Sequence, residues 1–308
     1  MIGGDELLKI VIRHIPNTLN YGSAMMAENI IFYLTSLLDS SLEFYCDFST
    51  ENDRKRMELA TGISSLIIDE VPKMRSFTRN KVAKAVNLYR HIKSEIAKYK
   101  DRNVSAILIL GGDDLSEYYA GNRIAIELYR LMRLSKSFDT FLLGQTIGPF
   151  HSWRIPLAKR YLRNCHIYTR DPLTVEYLKR GLKLSNVKES RDLAWLDLPR
   201  QNESSIKESV MSKYKLEPEQ YITVVPSGLS SQYSSNLSSY VCTWKNLIVN
   251  LTKKPSISDK KVVLLGHVVR EGKADDRNII REITTGIPRE VSSRLLPIDD
   301  IMFLLRQE

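Results

Sequence analysis

Residues 141–150, Phe-Leu-Leu-Gly-Gln-Thr-Ile-Gly-Pro-Phe, constrain the fold more than any other stretch. The apolar run is too short for a helix, and it empties into a loop whose course Gly144, Gly148 and Pro149 fix. A buried parallel strand reads this way when its C-terminal end opens onto a ligand crevice. Gly144 and Gly148 let the backbone approach a ligand closely, and Gln145 offers both a donor and an acceptor. An ordinary strand-to-helix connection would read similarly, so the weight falls on recurrence.

The punctuation does recur. Ala106–Leu110, a continuous aliphatic run, ends in Gly111-Gly112-Asp113-Asp114, and His166–Thr169 ends in Arg170-Asp171-Pro172. Leu7–Ile15, rich in β-branched residues, precedes a loop holding Pro16, Asn17, Asn20 and Gly22. Leu42–Phe48 and Ser65–Val71 add two more strands. Helices are expected over Ser23–Leu38, Lys73–Arg102, Arg123–Leu134 and Trp153–Asn164, and from Pro172, behind an Asp171 cap, to Gly181. Glu51-Asn52-Asp53 reads as a polar turn, and Pro199–Glu219 as a linker with a short helix. A second series follows: Tyr221–Val225 into Pro226-Ser227-Gly228, Lys261–Leu265 into Gly266-His267, a helix through Ile283, and Leu295-Leu296 before Asp299-Asp300. Two such series predict an α/β chain of two Rossmann-like domains facing a cleft, residues 1–200 and 201–308. Neither a complete dinucleotide fingerprint nor a phosphate-loop lysine motif is present.

The strand ends supply the candidate chemistry. Asp113 and Asp114 can bind sugar hydroxyls or act as acid and base, or else cap the helix near Leu115. Arg170 can grip a carboxylate or phosphate through two parallel bonds, or form a structural pair with a neighbouring carboxylate. His267 has the position and titration range for acid/base or phosphate work, or a structural role. Asn20 or Ser23 can cap the helix that follows, aiming free N–H groups at a loop suited to an anion.

Composition narrows the class. A hydrophobic content of 43% and a charged content of 26% are those of a globular protein, and no run approaches the roughly 20 apolar residues of a membrane span. Cys46, Cys165 and Cys242 are far apart and suggest neither a disulfide framework nor a zinc site. The start lacks the pattern of a secretory signal, so a cytoplasmic location is expected. The net charge of +9 points to anionic partners. Much of it sits in Lys73–Arg102, where Val82, Ala85, Tyr89, Ile92, Ile96 and Tyr99 recur at helical spacing among Lys81, Lys84, Arg90, Lys93 and Lys98. That helix is either a solvated face or a peripheral contact with anionic lipid at the inner face of the membrane. Zinc-finger spacing and RNA-binding aromatic signatures are absent, so nucleic acid is not an expected partner.

As an ordered set, these loops resemble the polysaccharide pyruvyl transferase family. The resemblance is carried by Asn20-Tyr21-Gly22-Ser23, Gly111-Gly112, Gly144 to Phe150, Arg170-Asp171 with Thr174 and Leu178, Asp192-Leu193-Ala194, and Val263 to His267 followed by Asp275-Asp276. It implies a GT-B-type fold and transfer of a pyruvyl group from phosphoenolpyruvate to saccharide hydroxyls, forming a ketal in cell-surface polysaccharide biosynthesis. It implies no metal and no cofactor beyond the donor. On this reading Arg170 clamps the donor, His267 is a second donor contact or proton carrier, and Asp113 and Asp114 take catalytic roles beside the acceptor. Asn20, Gly22 and Gln145 then line a saccharide or lipid-linked oligosaccharide acceptor. Two departures stand out: the family's Gly-Gly-Gly turn reads Gly111-Gly112-Asp113, and its Arg-x-His motif is not reached before Leu305-Arg306-Gln307-Glu308. The second departure implies a C-terminal domain short of its last elements. A nucleotide-sugar-dependent glycosyltransferase and a non-catalytic saccharide-binding protein are the competing classes.

Overall fold

A computed structural model describes residues 7–38, 41–70, 80–201 and 203–299. They group into two units: the described residues up to Thr18 together with Ser23–Pro199, and Leu19–Gly22 together with those from Arg200 onward.

The first unit carries β1 (Leu8–Arg13), α1 (Tyr21–Leu37, whose first two residues group with the second unit), β2 (Leu42–Cys46), α2 (Glu51–Thr61), β3 (Leu66–Ile68), α3 (Lys81–Asp101) and β4 (Ala106–Gly112). It continues with α4 (Glu117–Ala120), α5 (Ile124–Leu134), β5 (Asp139–Gln145), α6 (Arg154–Tyr161), β6 (His166–Thr169), α7 (Pro172–Glu176) and β7 (Val187–Glu189). Its strands form one parallel sheet in the order β3-β2-β1-β4-β5-β6-β7. The winding reverses between β1 and β4, and a doubly wound sheet takes its ligands beyond the strand C-termini at such a reversal. The alternate residues Val11, Ile107, Ile109, Leu142 and Ile167 pack one face of the sheet against Ile92, Ile96 and Tyr99 of α3 and Leu128 and Leu131 of α5. Continuous aliphatic runs suit strands held from both sides and supply the hydrophobic driving force for this layer.

The second unit carries α8 (Ser204–Tyr214), β8 (Tyr221–Val224), α9 (Ser230–Tyr233), α10 (Leu237–Thr252), β9 (Lys261–Leu265), α11 (Asp276–Thr284), α12 (Arg289–Ser292) and β10 (Leu295–Ile298). Its parallel sheet runs β10-β9-β8. Val262 and Leu264 pack with Ile248, Ile279, Ile280 and Ile283, whereas Val263 and Leu265 pack with Val210, Met211 and Leu216. Successive strand residues point to opposite faces, so β9 is covered on both. No helix among the described residues is long and apolar enough to cross a membrane.

Several elements differ from the sequence expectation. Glu51-Asn52-Asp53 opens a helix rather than a turn, because the Thr50 hydroxyl accepts from the Asp53 N–H and Gly62, at φ 75°, closes the other end. The short helix expected within Pro199–Glu219 is present over Ser204–Tyr214, and its Val210 and Met211 enter the second core. Helix α1 starts at Tyr21, which makes Gly22 helical. The basic helix is observed from Lys81 to Asp101; residues 73–79, like Val71 and Asp300, lie outside the described residues.

One glycine holds β4 against β5. A Cβ on Gly111 would lie 2.1 Å from the Gly144 carbonyl oxygen, a backbone atom that cannot swing aside. Gly111→Ala is therefore expected to lower the urea midpoint, at a cost of about 1–3 kcal/mol from overpacking. An unchanged midpoint would show that the two strand ends have room to part.

Candidate functional site

The end of β5 and the loop after it are built by local geometry. Gly144, at φ 63°, and Gly148, at φ 82°, take backbone conformations that disfavour side chains, and the Gly148–Pro149 bond is cis. The Tyr177 hydroxyl accepts from the Phe150 N–H at 2.8 Å and secures the loop's far end. Gln145 corrects an expectation. It is fully buried, and its Nε2 donates to the carbonyls of Leu110 at 2.6 Å and Ile109 at 3.2 Å. Its amide joins β5 to β4 rather than facing an acceptor.

Next along the edge, the Thr146 hydroxyl accepts from Arg170 Nε at 2.9 Å and reaches Asp171 Oδ2 at 3.1 Å. Asp171 caps α7 through the Thr174 N–H at 2.7 Å, as its Asp-Pro sequence predicts. Burial alone would raise this carboxyl, but the Thr174 N–H and hydroxyl, the Thr146 hydroxyl and Arg170 hold it below its ordinary value. Arg170 also donates to Asp192 Oδ2 at 2.6 Å, so the structural pairing weighed from the sequence is present. Its side chain remains 29% exposed, which leaves it reachable by an incoming anion.

At the reversal between β1 and β4 lie Asp113, Asp114 and a residue that the sequence reading passed over, His14. Asp113 turns the chain, its carbonyl accepting from the Ser116 hydroxyl at 2.7 Å, and Ser116 rather than Asp113 or Asp114 caps α4. The His14 Nδ1 lies 3.4 Å from Asp114 Oδ2, and its Nε2 lies 3.7 Å from Glu127 Oε1. His14 holds φ 73°, and Asp47 accepts from the His14 and Ile15 N–H groups at 3.0 Å each. Burial disfavours the imidazolium, yet Asp114 and Glu127 together push the His14 pKa up to about 10.

Behind this pair lies a buried ionic cluster. Arg13 Nη1 meets Tyr99 Oη at 2.7 Å, Glu95 Oε1 at 3.1 Å and Asp69 Oδ2 at 3.3 Å. Asp69 also accepts from Tyr99 Oη at 2.7 Å and Arg102 Nη1 at 2.8 Å, and pairs with Lys98. Burial raises the Glu95 carboxyl above its ordinary value against the pull of Arg13.

In the second unit, Asp276 ties two strand ends together, accepting from the N–H groups of Gly228 at 2.5 Å, Val268 at 2.6 Å and His267 at 2.9 Å. The expected residues Asn20, Gly22 and His267 come together here. Tyr21 N–H donates to the His267 carbonyl at 3.1 Å, Val269 N–H donates to the Leu19 carbonyl at 2.9 Å, and Asn20 bridges Val268. A Cβ at Gly22 would stand 3.7 Å from His267 Cε1. The His267 ring meets Tyr21 edge-on at 5.2 Å. Burial lowers the His267 pKa, with Asp276 opposing, which favours the neutral ring. Asn20 and Gly22 thus group with His267, whereas Asp113, Asp114, Gln145 and Arg170 belong to the first unit.

Two α/β units on parallel sheets, with polar side chains at the strand C-termini, define a GT-B-like protein. The chain belongs to the polysaccharide pyruvyl transferase family, whose model matches residues 20–305. The UDP-GlcNAc 2-epimerase of Neisseria meningitidis is a similar structure, with 9% identity and a TM-score of 0.56 over 97% of this chain and 74% of that one. That of Methanocaldococcus jannaschii gives 10% identity and a TM-score of 0.54, covering 97% and 76%. The N-terminal domain of Candida albicans trehalose-6-phosphate phosphatase gives 10% and 0.51, covering 99% and 76%. At such identities the likeness is one of fold. No curated protein matches the sequence.

Proposed function

We propose that this chain transfers a pyruvyl group from phosphoenolpyruvate to two hydroxyls of a saccharide, releasing phosphate and leaving a cyclic ketal. The family match across residues 20–305 carries this reading. As the donor's C3 takes a proton, C2 becomes oxocarbenium-like and one sugar hydroxyl adds to it. A second hydroxyl then displaces phosphate from the same carbon, and each hydroxyl gives up its proton. Fixed cations facing the donor stabilise the charge that develops.

Arg170 is assigned to the donor, whose carboxylate or phosphate would share the guanidinium with Asp192. His267 carries the proton, and Asp113 and Asp114 serve the acceptor hydroxyls. Arg170→Ala is expected to weaken phosphoenolpyruvate binding by about 1.5–3 kcal/mol, roughly 10- to 150-fold. Calorimetric titration tests this, and unchanged affinity would remove Arg170 from the donor site.

Peripheral contact with anionic lipid is assigned to the first turns of α3, where Val82, Val86 and Tyr89 are exposed beside Lys84, Arg90 and Lys93. Such a surface would bring the enzyme to a lipid-linked acceptor at the inner face of the membrane.

The deciding assay is phosphate release from phosphoenolpyruvate across a panel of saccharide acceptors. Thermal protection by phosphoenolpyruvate but not by nucleoside diphosphates favours pyruvyl transfer, and the reverse favours a nucleotide-sugar glycosyltransferase. Saccharide binding without phosphate release would instead mark a non-catalytic binding protein.

A further inference from the structure

We propose that His14 is a positioning residue at the β1/β4 reversal, its ring held between Asp114 and Glu127 so that it aligns the Asp114 carboxylate as base for the acceptor hydroxyl. This rests on the pyruvyl-transfer reading for the identity of the reaction, and on geometry for the pair.

Three observations converge. The first is placement: β1 and β4 are neighbours whose following connections leave in opposite directions, where a doubly wound sheet opens to ligands. The second is backbone. His14 keeps a left-handed conformation that a non-glycine residue adopts at some cost, and Asp47 holds both N–H groups of the turn. The third is the contrast in exposure. The His14 side chain is 17% exposed and that of Asp114 58%, so one partner is enclosed while the other faces outward. At 3.4 Å the contact is that of a charge pair, of the kind that tightens when a substrate binds.

The groups facing the ring are Asp114 from the β4 loop and Glu127 from α5, with Arg130 Nη1 4.0 Å from Glu127 and Arg13 preceding in sequence. In the reaction the acceptor hydroxyl's proton passes to Asp114 as its oxygen bonds to the donor's C2. The imidazolium keeps both of its protons throughout, fixing the carboxylate while its charge changes.

The test has two independent readouts on the full chain. By NMR the His14 imidazole, assigned through its loss in His14→Asn, should remain protonated to about pH 10. Its midpoint should fall in Asp114→Asn. A ring that titrates near the ordinary 6.5 overturns the pairing. In turnover, His14→Asn should lower kcat by at least about tenfold, towards the roughly 10²–10⁴ of a lost general base, with KM for phosphoenolpyruvate unchanged. Asn tolerates the left-handed backbone, so the substitution spares the turn. In His14→Gly, added imidazole should restore turnover and the weakly basic isostere pyrazole should not. Full kcat in folded His14→Asn, or equal rescue by both compounds, overturns the proposal. If wild-type chain shows no turnover from phosphoenolpyruvate while the ring titrates as expected, the donor assignment fails and the pair stands. Normal turnover with an ordinary titration sinks the pair and leaves the donor.

Discussion

Asp69→Ala should destabilise the protein by about 3–5 kcal/mol, the range for breaking one side of a buried ion pair. The Asp69 side chain has no exposure and faces Arg13, Lys98 and Arg102 as well as the Tyr99 hydroxyl. Removing it leaves the buried Arg13 with Asp47 and Glu95, too few partners for the cations gathered there. Urea unfolding checks the value, and a loss under about 1 kcal/mol, the scale of an exposed pair, would show that the cluster carries little of the fold. A pH signature should accompany it. Burial raises the Asp69 carboxyl, but Lys98, Tyr99 and Arg13 outweigh it and hold the pKa below 3.8. The folded value lies below the unfolded one, so this contribution is present above about pH 3.8 and is lost as the pH falls through the folded value. The alanine variant should lack that component of acid unfolding.

His267→Gln is expected to reduce turnover by about 10²–10⁴ while the fold persists. The backbone of residue 267, not its ring, accepts from Tyr21 N–H and donates to Asp276, so those ties survive the change. Phosphate release read beside circular dichroism separates the outcomes, and a fully active variant would remove His267 from the mechanism. Because burial favours the neutral ring, an anionic donor should raise its affinity for a proton as it binds. Calorimetry in buffers of different ionisation enthalpy should therefore record proton uptake below neutral pH. Donor binding with no proton uptake would place the negative charge elsewhere.

How much of this the sequence disclosed depended on polarity. Strands such as β4, β6 and β9 were legible because continuous aliphatic or β-branched runs end in glycine, arginine or histidine. Helix α2 was read as a turn because charged residues crowd its first turns, although Thr50 and Gly62 mark both ends. Helix α10 was not anticipated: Cys242, Thr243, Asn246 and Asn250 interrupt the stripe of Val241 and Ile248. Gln145 misled because an amide in a glycine-rich loop suggests binding, whereas pairing with two strand carbonyls left it buried. His14 was passed over because the strand was drawn through Ile15, which hid a histidine that leaves the sheet. The grouping of Asn20 and Gly22 with His267 is a long-range contact for which spacing along the chain gives no signal.

That grouping bears on any attempt to dissect the molecule. The backbone passes from one unit to the other at Thr18/Leu19, Gly22/Ser23 and Pro199/Arg200. A polypeptide begun at Arg200 would therefore lack the four-residue graft that answers the main chain of His267 and Val269.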